Sequence, residues 1–554
     1  MAHQREQHYF DIPYRPSTIV DIINESARRY GHHPAVSYFE GNAKHVIDFK
    51  QYKSDIAFVT QLIQQKTSGE SLHIALMGVP SYCWMLCFFA IIADHDIVVP
   101  LDDSLDTQSL DYIINQSNAD IVICDQAFTS TITSFWSGTL LTTEEIMHAV
   151  NHNPNDLSDT DFLSINQPDP QDLVMIMYTS GTSGRPKGVT TSHENLVSEV
   201  IMGQMLMKGV IDGGNISLLP FYHAYSILTA IIYPLYVGCC AYISRGLRYV
   251  AEDLKAYQPV TILAVPLIAD SFYKTIKSKL TGCTAIAARL LIVLRKGLLK
   301  IGCDPRKVFF KQVFTTFGPN FDYIICGGAR LNPETEQGLE NFGVTILNGY
   351  GMTECSPSVS TNTKEIRKRG SVGRVEPFVN VRIDPTTQEI LVRGPMVSPG
   401  YYRDDERNRE RFIDGWFKTG DRGHLDDDGF LFFDGRLIDN IVLSNGENVD
   451  PAEIENLFRL TQGLQDMLVF LDTSAGVDHL SALISLDPET PDVSHAKATI
   501  SHAVDAYNAH VALHRRLKHV TFTAKPFIYT ASRKLKRADT MRALYSSSTA
   551  NSQS

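Results

Sequence analysis

Short apolar runs alternate with longer stretches of helical spacing along most of this chain, and this alternation limits the possible folds more than any other feature. Strands that alternate with helices form parallel sheets whose crossover helices cover the faces. Helical spacing is predicted over residues 17–66 and 81–93. Strands are predicted over residues 72–77, 97–100, 120–124, 216–220, 261–266 and 323–326. The chain is therefore expected to have an α/β fold.

The length of the chain and a change of pattern indicate more than one domain. With 554 residues the chain exceeds what a single hydrophobic core organises. Short strands and turns are predicted over residues 381–392, and a compact α+β unit begins after Arg436 with a first helix over residues 451–460. We predict a large N-terminal domain of parallel-rich sheets with helices and a small β-subdomain, followed by a small, mobile α+β C-terminal domain. The predicted ranges are 1–436 for the N-terminal domain, 437–545 for the C-terminal domain and 546–554 for a disordered tail.

The composition excludes several classes of protein. Lys and Arg number 50 against 62 Asp and Glu, a formal net charge of −12, whereas a nucleic-acid binder normally carries a basic footprint. The nine cysteines have no zinc-ligand spacing, which is typical of reduced thiols in a cytosolic protein. The N-terminus lacks an apolar signal segment, and the apolar stretch over residues 83–93 is too short to span a bilayer, so it is expected to be a buried helix. We expect a cytoplasmic protein with no nucleic-acid partner.

A loop rich in glycine and hydroxyl residues, YTSGTSGRPKGV over residues 178–189, follows an apolar run over residues 173–177. That order indicates a buried strand leading into a loop, where glycines allow close approach of the backbone and N–H groups can surround a polyphosphate. The sequence is not a Walker loop, because Pro186 precedes the lysine and Gly188 follows it. The candidate ATP-binding residues here are Thr179, Ser180, Gly181, Thr182 and Lys187.

A second cluster, NGYGMTE over residues 348–354, combines a flat aromatic ring, a hydroxyl and a carboxylate. Tyr350 can stack on a purine, and Thr353 can bind phosphate. Glu354 can hold Mg²⁺, which prefers oxygen ligands. Taken alone, the cluster also fits a plain glycine turn between two elements.

These motifs resemble, in sequence and in order, the signatures of the adenylate-forming superfamily, which contains acyl-CoA synthetases, carrier-protein adenylation domains and luciferases. The resemblance covers roughly residues 20–540. It implies that the Gly-Gly-Ala turn over residues 327–329 and the 348–354 cluster bracket an adenine, and that a carboxylate and an arginine bind near the ribose. The nucleotide-binding residues that it implies beyond the phosphate loop are Gly328, Ala329, Tyr350, Gly351, Thr353, Asp421, Arg436 and Lys534.

The C-terminal segment TASRKLKR, residues 530–537, resembles the family's catalytic-lysine motif in the form found in long-chain acyl-CoA synthetases. The resemblance implies that Lys534 bridges the carboxylate of the acid and the α-phosphate. The family's hinge position is usually polar, whereas Ile438 stands there and Asp439 follows it. We expect Ile438, Asp439 and Gly446 to serve domain rotation and the thiol half-reaction, since a hinge need not be a particular residue.

The resemblance implies a two-step reaction with ATP, Mg²⁺ and CoA. A carboxylic acid and ATP give an acyl-adenylate and pyrophosphate, and a thiol then takes the acyl group to give acyl-CoA and AMP. The residues expected to be catalytic are Lys534, Thr353, Glu354 and His223, with Glu354 as the metal ligand. Two alternatives stay open: an adenylating enzyme that loads an acyl carrier protein, and a nucleotide-binding protein without ligase activity.

The region after the Pro-x-x-His sequence bears on the identity of the acid. Amino-acid-activating relatives usually carry an Asp there to pair the ammonium group, but residues 224–228 contain none and residues 229–237 are mostly apolar. This favours an uncharged, hydrophobic acid such as a fatty acid, with His223 gating the acyl pocket. A core helix with a structural histidine would have the same pattern.

The segment from Lys274 to Lys311 is strongly basic within an acidic protein. Its ten Lys and Arg residues face a single acid, Asp304, and apolar residues are interleaved among them. This pattern favours docking on an anionic membrane surface or on an acidic acyl carrier protein. A solvated helical insertion is the alternative.

Overall fold

The computed structural model of the chain describes residues 12–66, 71–162, 168–180, 185–211, 213–439, 441–443, 448–473, 479–529 and 535–544. The predicted disordered tail, residues 546–554, lies outside the described residues. Strands alternate with helices through most of the N-terminal part, so the predicted α/β class is confirmed.

The strands of the described residues overlap every stretch for which a strand is predicted, but the predicted strand over residues 216–220 ends at Ser217 and that over residues 261–266 ends at Ala264. In chain order they are β1 Pro34–Glu40, β2 Ala43–Asp48, β3 His73–Met77, β4 Ile97–Leu101, β5 Ile121–Cys124, β6 Thr139–Thr142, β7 Leu173–Ser180, β8 Pro186–Ser192, β9 Asn215–Ser217, β10 Ala241–Ile243, β11 Thr261–Ala264, β12 Tyr323–Cys326, β13 Thr345–Tyr350, β14 Ser360–Thr361, β15 Arg374–Val375, β16 Asn380–Ile383, β17 Glu389–Arg393, β18 Phe412–Ile413, β19 Trp416–Leu425, β20 Leu431–Arg436, β21 Ile441–Val442, β22 Asn448–Val449, β23 Leu464–Asp472, β24 His479–Leu486 and β25 Leu517–Thr523.

The helices connect these strands and cover their sheets. In chain order the described α-helices are α1 Ile19–Tyr30, α2 Phe49–Gln64, α3 Tyr82–Ala93, α4 Thr107–Gln116, α5 Thr129–Thr133, α6 Thr143–Asn151, α7 His193–Met207, α8 Ala224–Ser226, α9 Tyr233–Val237, α10 Val250–Tyr257, α11 Pro266–Ser278, α12 Gly282–Leu299, α13 Arg306–Phe309, α14 Lys311–Phe317, α15 Pro333–Asn341, α16 Asp405–Arg411, α17 Pro451–Phe458, α18 Val493–His510 and α19 Arg537–Leu544. A π-helical turn, Ile227–Ile232, joins α8 to α9.

Two parallel-rich sheets form most of the N-terminal part. Among the described residues, the larger sheet has the strand order β15-β14-β13-β12-β11-β9-β10-β1-β2 and is parallel from β13 to β1. The second sheet has the order β6-β5-β3-β4-β7-β8 and is parallel except for the β7–β8 hairpin. Ligands of such sheets bind beyond the carboxyl ends of the parallel strands. A ligand site is therefore expected at those carboxyl ends.

Helix α3 is buried along its whole length, from Tyr82 to Ala93. Ser81 caps its N-terminus by accepting a hydrogen bond from the backbone N–H of Trp84 at 3.2 Å. A helix that is apolar on every side must be surrounded by other elements, and α3 packs against α2, β3 and β4. The predicted buried helix is confirmed. None of the described helices is long and apolar enough to cross a membrane.

The prediction of continuous helical spacing over residues 17–66 is wrong. Helix α1 ends at Gly31, and the β1–β2 hairpin separates it from α2. Pro34 disfavours the helical conformation of His33 before it, which explains why α1 cannot continue. β1 also pairs in parallel with β10. The hairpin is thus stabilised by a strand from a distant part of the chain, which local spacing cannot reveal.

The β-subdomain and the C-terminal α+β unit are both confirmed. An antiparallel sheet of β16, β17, β18, β19 and β20 forms the subdomain. After it, β23, β24 and β25 form a separate sheet, and α17 and α18 contribute Ile454, Phe458 and Ile500 to its hydrophobic core. The two units therefore have separate cores, as expected for domains that can move relative to one another.

The C-terminal unit contacts the loop that follows β12. The Asn332 side chain donates a hydrogen bond to the backbone oxygen of Asn456 at 2.7 Å. Arg330 forms an ion pair with Asp450, with 3.0 Å between Nη2 and Oδ2. These contacts hold the C-terminal unit against the carboxyl edge of the larger sheet.

Candidate active site

A cavity of about 1810 Å³ opens where the two parallel-rich sheets, the β-subdomain and the C-terminal unit meet. Sites for one small ligand usually measure about 300–1,000 Å³, so this cavity has room for a nucleotide and a second substrate. The predicted site residues on its wall are Thr179, Lys187, His223, Gly328, Ala329, Tyr350, Gly351, Thr353, Glu354 and Arg436. The predicted residues Gly181, Thr182, Gly446 and Lys534 lie outside the described residues, as does the side chain of Ser180.

The β7–β8 hairpin brings the two ends of the predicted phosphate loop together. Thr179 in β7 stands opposite Lys187 in β8, so the lysine belongs to a strand and not to the loop itself. The Thr179 hydroxyl is buried and finds no hydrogen-bond partner among the described residues. Because an unpartnered buried hydroxyl is costly, the hairpin suits a ligand that accepts its hydrogen bond.

A buried ion pair joins this hairpin to the second motif. Lys187 Nζ lies 2.5 Å from Glu354 Oε1, and the Tyr401 hydroxyl donates to the same carboxylate oxygen at 2.9 Å. Burial alone would raise the pKa of Glu354, but the ammonium of Lys187 and the hydroxyl of Tyr401 hold it below its ordinary value. Glu354 therefore stays ionised at neutral pH. Tyr401 follows the sequence Ser-Pro-Gly and belongs to no recognisable motif, and sequence reasoning missed it.

The adenine motifs lie at the carboxyl ends of the neighbouring parallel strands β12 and β13. Gly328 has a φ of +85°, a conformation that side chains disfavour. A Cβ on Gly351 would lie 1.8 Å from the backbone oxygen of Pro357, so only glycine fits there. These two glycines and Ala329 form a stretch of cavity wall at the strand ends, the glycine slot, and base binding there stays a prediction.

A tyrosine, a carboxylate and an arginine form a second polar group beside that slot. The Tyr350 hydroxyl donates to Asp421 Oδ2 at 2.8 Å. Asp421 in β19 stands opposite Arg436 in β20, and Arg436 Nε lies 3.5 Å from Asp421 Oδ1. Asp421 thus stands behind Tyr350 and Arg436, which reach the cavity wall. The pairing places the two predicted ribose-binding residues side by side.

His223 lies at the start of α8, where the π-helical turn begins two residues beyond Tyr225. Its ring centroid lies 4.5 Å from that of Tyr222, and both rings line the cavity. Leu228 and Thr229 of the π-helical turn line it as well. His223 therefore lines the cavity beside the π-helical turn, and its gating of an acyl pocket stays a prediction.

The sequence profile of the AMP-binding enzyme family matches residues 23–402, and the profile of the AMP-binding enzyme C-terminal domain matches residues 439–547. The chain belongs to the AMP-binding enzyme family. Its members form adenylates, so the predicted resemblance to the adenylate-forming superfamily is confirmed.

Relatives of this AMP-binding enzyme include ligases of long-chain fatty acids. It is 28% identical over 451 residues to the long-chain-fatty-acid–CoA ligase FadD15 of Mycobacterium bovis, covering 75% of this chain and 73% of that protein. It is 29% identical over 363 residues to the chloroplastic long-chain-fatty-acid–[acyl-carrier-protein] ligase AEE15 of Arabidopsis thaliana, covering 54% and 50% of the two chains. The predicted closeness to fatty acyl-CoA synthetases is confirmed.

Solved structures show the same fold. The anthranilate CoA ligase AuaEII in complex with anthranoyl-AMP superposes with a TM-score of 0.77 at 18% identity, over 98% of this chain and 99% of that one. The o-succinylbenzoate CoA synthetase of Bacillus subtilis in complex with ATP and magnesium gives a TM-score of 0.73 at 19% identity, over 94% and 98%. At such identities the likeness establishes the fold alone.

The C-terminal unit of this AMP-binding enzyme contributes to the cavity wall next to the predicted catalytic lysine. Phe527 and Lys536, on either side of residues 530–534, both line the cavity. Tyr529 and Leu535 form an isolated β-bridge across the same segment. The described residues on both sides of this segment therefore line the cavity. At the predicted hinge, the Ile438 side chain is 64% exposed, and domain rotation about this position stays a prediction.

Two carboxyl groups on the cavity wall were missed by sequence reasoning. Glu199 lies in α7 and Glu376 follows β15, and both are buried. Neither belongs to a motif with characteristic spacing. The hint available in the sequence was an acidic residue inside the apolar stretch of α7, a pattern that also fits an exposed helical position.

Proposed function

We propose that this chain uses ATP to convert a hydrophobic carboxylic acid, such as a fatty acid, into an acyl-adenylate, and then transfers the acyl group to CoA with release of AMP. One observation carries this proposal: the Lys187–Glu354 pair and the carboxyl ends of β12 and β13 meet at one large cavity. The names of the M. bovis and A. thaliana relatives, both ligases of long-chain fatty acids, support it.

The nucleotide is expected to lie across the strand ends of the larger sheet. The slot formed by Gly328, Ala329 and Gly351 receives the adenine, with the Tyr350 ring against it. We assign the ribose hydroxyls to Arg436, which lines the cavity, and to Asp421 behind it, because a carboxylate accepts hydrogen bonds from hydroxyl groups. The residues that hold the phosphates are Thr179, Ser180, Gly181, Thr182, Lys187 and Thr353.

A magnesium ion fits this site through Glu354 together with phosphate oxygens of ATP. Mg²⁺ is commonly held by one or two carboxylates plus substrate phosphates, and the part of the chain that the structure describes contains no cluster of three or more metal-ligating side chains. When bound, the ion neutralises phosphate charge. Glu354 would hold the ion, and Lys187, whose ammonium group lies 2.5 Å from Glu354 Oε1, would be placed to pair with a phosphate.

Activation requires two anions, the carboxylate and the α-phosphate, to approach one another. A positioned cation lowers that barrier by stabilising the charge that develops in the transition state. We assign this role to Lys534, whose flanking residues line the cavity. His223, at the mouth of the apolar pocket, gates access of the acyl group. The proposed domain ranges, 1–436 and 437–545, allow the C-terminal unit to withdraw Lys534 before the thiol enters.

Incubation with ATP, Mg²⁺, CoA and a panel of acids tests this function. We expect AMP and pyrophosphate as products, with medium and long aliphatic acids turned over better than amino acids. Each buried CH₂ contributes about 0.8 kcal/mol until the pocket is full, so kcat/KM should rise with chain length. Quantifying AMP against ADP by chromatography decides the mechanism. Formation of ADP and phosphate would rule out adenylation, and the fastest turnover with amino acids would rule out the proposed substrate class.

An acyl carrier protein is the second acceptor to consider. The relative AEE15 is named as a ligase that uses acyl-carrier-protein. Thioester formation with CoA and with a phosphopantetheinylated carrier protein, measured side by side, distinguishes the two acceptors. Release of free acyl-adenylate with neither thiol would contradict both.

Helix α12, within the predicted basic segment, presents an apolar face to solvent. Ile286, Leu290, Val293 and Leu294 follow helical spacing along that face and are 61%, 62%, 68% and 56% exposed. The opposite face packs inward through Ala288. A contiguous exposed apolar stripe of this kind marks an interaction surface.

Exposed cations flank this apolar stripe, with one exception. Arg289, Lys296 and Lys300 are exposed on α12. Arg295 is buried and pairs with Asp304 at 2.7 Å, so it is a structural residue and not part of a docking surface. We propose that the stripe and these three cations bind an anionic membrane surface, since an apolar face flanked by Lys and Arg is typical of helices that lie in the lipid interface.

Reversing Arg289, Lys296 and Lys300 to Glu is expected to abolish most binding to vesicles that contain anionic lipid. The electrostatic part should also weaken with salt, because the Debye length falls from about 10 Å at 0.1 M to about 3 Å at 1 M. Vesicle co-sedimentation at low and high salt measures both effects.

A matched control reverses three exposed lysines elsewhere, Lys364, Lys518 and Lys525. The control should bind vesicles nearly as well as the unaltered protein. Equal binding by both triple variants at low salt would contradict the proposal. Binding of α12 to an acidic carrier protein but not to vesicles would reassign the surface to that partner.

A further inference from the structure

Two buried carboxyl groups lie together on the cavity wall. Glu199 belongs to α7, and Gly203, Leu206 and Met207 line the cavity from the same face of that helix. Residues spaced by four and seven or eight positions share one helical face, so Glu199 belongs to the face that α7 turns to the cavity. Glu376, which follows β15, lines the same cavity.

The residue Ser358 joins the two carboxyl groups. Its hydroxyl donates to Glu376 Oε1 at 2.5 Å, and its backbone N–H donates to the Glu199 carboxyl. Ser358 lies four residues after Glu354, a span of at most about 14 Å of extended chain. The pair therefore lies close to the segment that carries the activation chemistry, on the apolar side of the cavity.

The described residues do not fill all the hydrogen-bonding positions of the two carboxyl groups. Glu199 is 2% exposed, and its Oε1 has no hydrogen-bond partner within the described ranges. Buried polar atoms nearly always have a partner, so an exception on a cavity wall indicates a ligand group that supplies one. None of the steps of the proposed reaction uses either carboxyl group.

Burial also prevents the two carboxyl groups from being ionised at the same time. Desolvation, and then the neighbouring Glu376, raise the pKa of Glu199 well above its usual range. Desolvation raises the pKa of Glu376 to about 7, against the hydrogen bond from Ser358. Near neutral pH the pair thus retains at least one proton, so it can both donate and accept hydrogen bonds.

We propose that Glu199 and Glu376 together bind a hydroxyl group on the acyl chain, which makes this chain selective for hydroxylated acids over plain acids of equal length. This inference rests on the proposed activation of a carboxylic acid and narrows its substrate class. A hydroxyl group matches the pair because it also both donates and accepts. An ammonium group fits less well, because it donates only and its full charge would have to be desolvated beside apolar α7 residues.

The test compares decanoic acid with decanoic acids that carry one hydroxyl at carbon 3, 6 or 10, and with 10-aminodecanoic acid. Carboxylate-dependent AMP formation gives kcat/KM for each. At least one hydroxydecanoic acid is expected to exceed decanoic acid by roughly 10- to 100-fold, the equivalent of one hydrogen bond to a buried polar group. This comparison needs no variant and is independent of any folding defect.

Apolar variants of similar length then locate the preference. Glu199→Met and Glu376→Met remove both the donor and the acceptor, and they are expected to reduce the preference to less than about threefold, with kcat/KM for decanoic acid unchanged or higher. Glu336→Met is the matched control, because Glu336 is also buried with its pKa raised to about 7 by desolvation, yet it does not line the cavity. The control should keep the full preference, and thermal unfolding compares the stability of all three variants.

Several results would overturn the inference. If decanoic acid equals or exceeds every hydroxydecanoic acid, or if both Met variants keep the preference, the pair does not select hydroxyl groups. A preference for 10-aminodecanoic acid would reassign the pair to ammonium recognition. AMP formation without hydroxyl selectivity contradicts this inference alone, whereas no AMP from any acid contradicts the proposed function and this inference with it.

Discussion

Replacing Lys534 with Ala is expected to slow acyl-adenylate formation by roughly 10²–10³-fold, by analogy with the loss of one donor that stabilises transition-state charge. Thioester formation from supplied acyl-adenylate should change far less. The physical reason is that the lysine is needed only while carboxylate and α-phosphate approach one another, and the C-terminal domain is expected to rotate it away before the thiol reacts.

The two half-reactions can be measured separately. Pyrophosphate exchange reports adenylation, and consumption of synthetic acyl-adenylate with CoA reports thioester formation. Lys525→Ala is a suitable control, since Lys525 is an exposed lysine of the same domain and is absent from the cavity wall. An equal loss in both half-reactions would argue against domain rotation about the segment that contains Ile438.

Replacing Lys187 with Met is expected to affect both stability and activity. Removing one partner of a buried ion pair typically costs about 3–5 kcal/mol, because the other charge stays buried without compensation. Glu354 would be that charge, with Tyr401 as its remaining partner at 2.9 Å. Adenylation should also fall by roughly 10²–10³-fold, because a cation beside the phosphates is lost.

The stability loss has a defined dependence on pH. In the unaltered protein the pKa of Glu354 lies below its ordinary value, so its contribution to stability is present above the unfolded-state pKa and is lost as the pH falls through the folded-state pKa. In the Lys187→Met variant, burial dominates and raises the pKa of Glu354. The variant therefore loses stability at neutral pH, where Glu354 is ionised, and regains part of it on acidification. The difference between the two proteins should therefore be smaller at about pH 5 than at about pH 7.

Urea unfolding followed by tryptophan fluorescence measures this effect. The three tryptophans, Trp84, Trp136 and Trp416, all belong to the N-terminal domain, so the signal reports on the domain that contains the ion pair. The double variant Lys187→Met/Glu354→Gln removes the uncompensated charge and should recover most of the lost stability without recovering activity. Failure of the second substitution to restore stability would contradict the assigned role of the pair.

Much of the fold was predictable because it depends on local patterns. Apolar runs between helical stretches predict the parallel strands, and the fully apolar sequence of α3 predicts its burial. The β1–β2 hairpin was not predictable, because its stability depends on pairing with β10, some two hundred residues away in the chain. Sequence spacing reports what a segment can form alone and not which distant segment it meets.

The same limit applies to the site. The motif around Glu354 and the loop around Lys187 were recognisable, but their direct ion pair joins residues 167 positions apart and required coordinates. Glu199 and Glu376 escaped notice because a lone acidic residue normally marks a solvated position. Their burial on one cavity wall depends on how the domain packs. It is the basis for the proposed selection of hydroxylated acyl chains.

The ion pair between Arg330 and Asp450 connects the C-terminal unit to the turn proposed to receive the adenine, because Arg330 directly follows Gly328 and Ala329. Any ligand that prefers one arrangement of this turn must favour one domain position, and by reciprocity the domain position changes the affinity for that ligand. The ion pair of Arg330 would then help to retain AMP until the second half-reaction is complete. A substitution at Asp450 would change the affinity for AMP without altering a residue that touches the nucleotide.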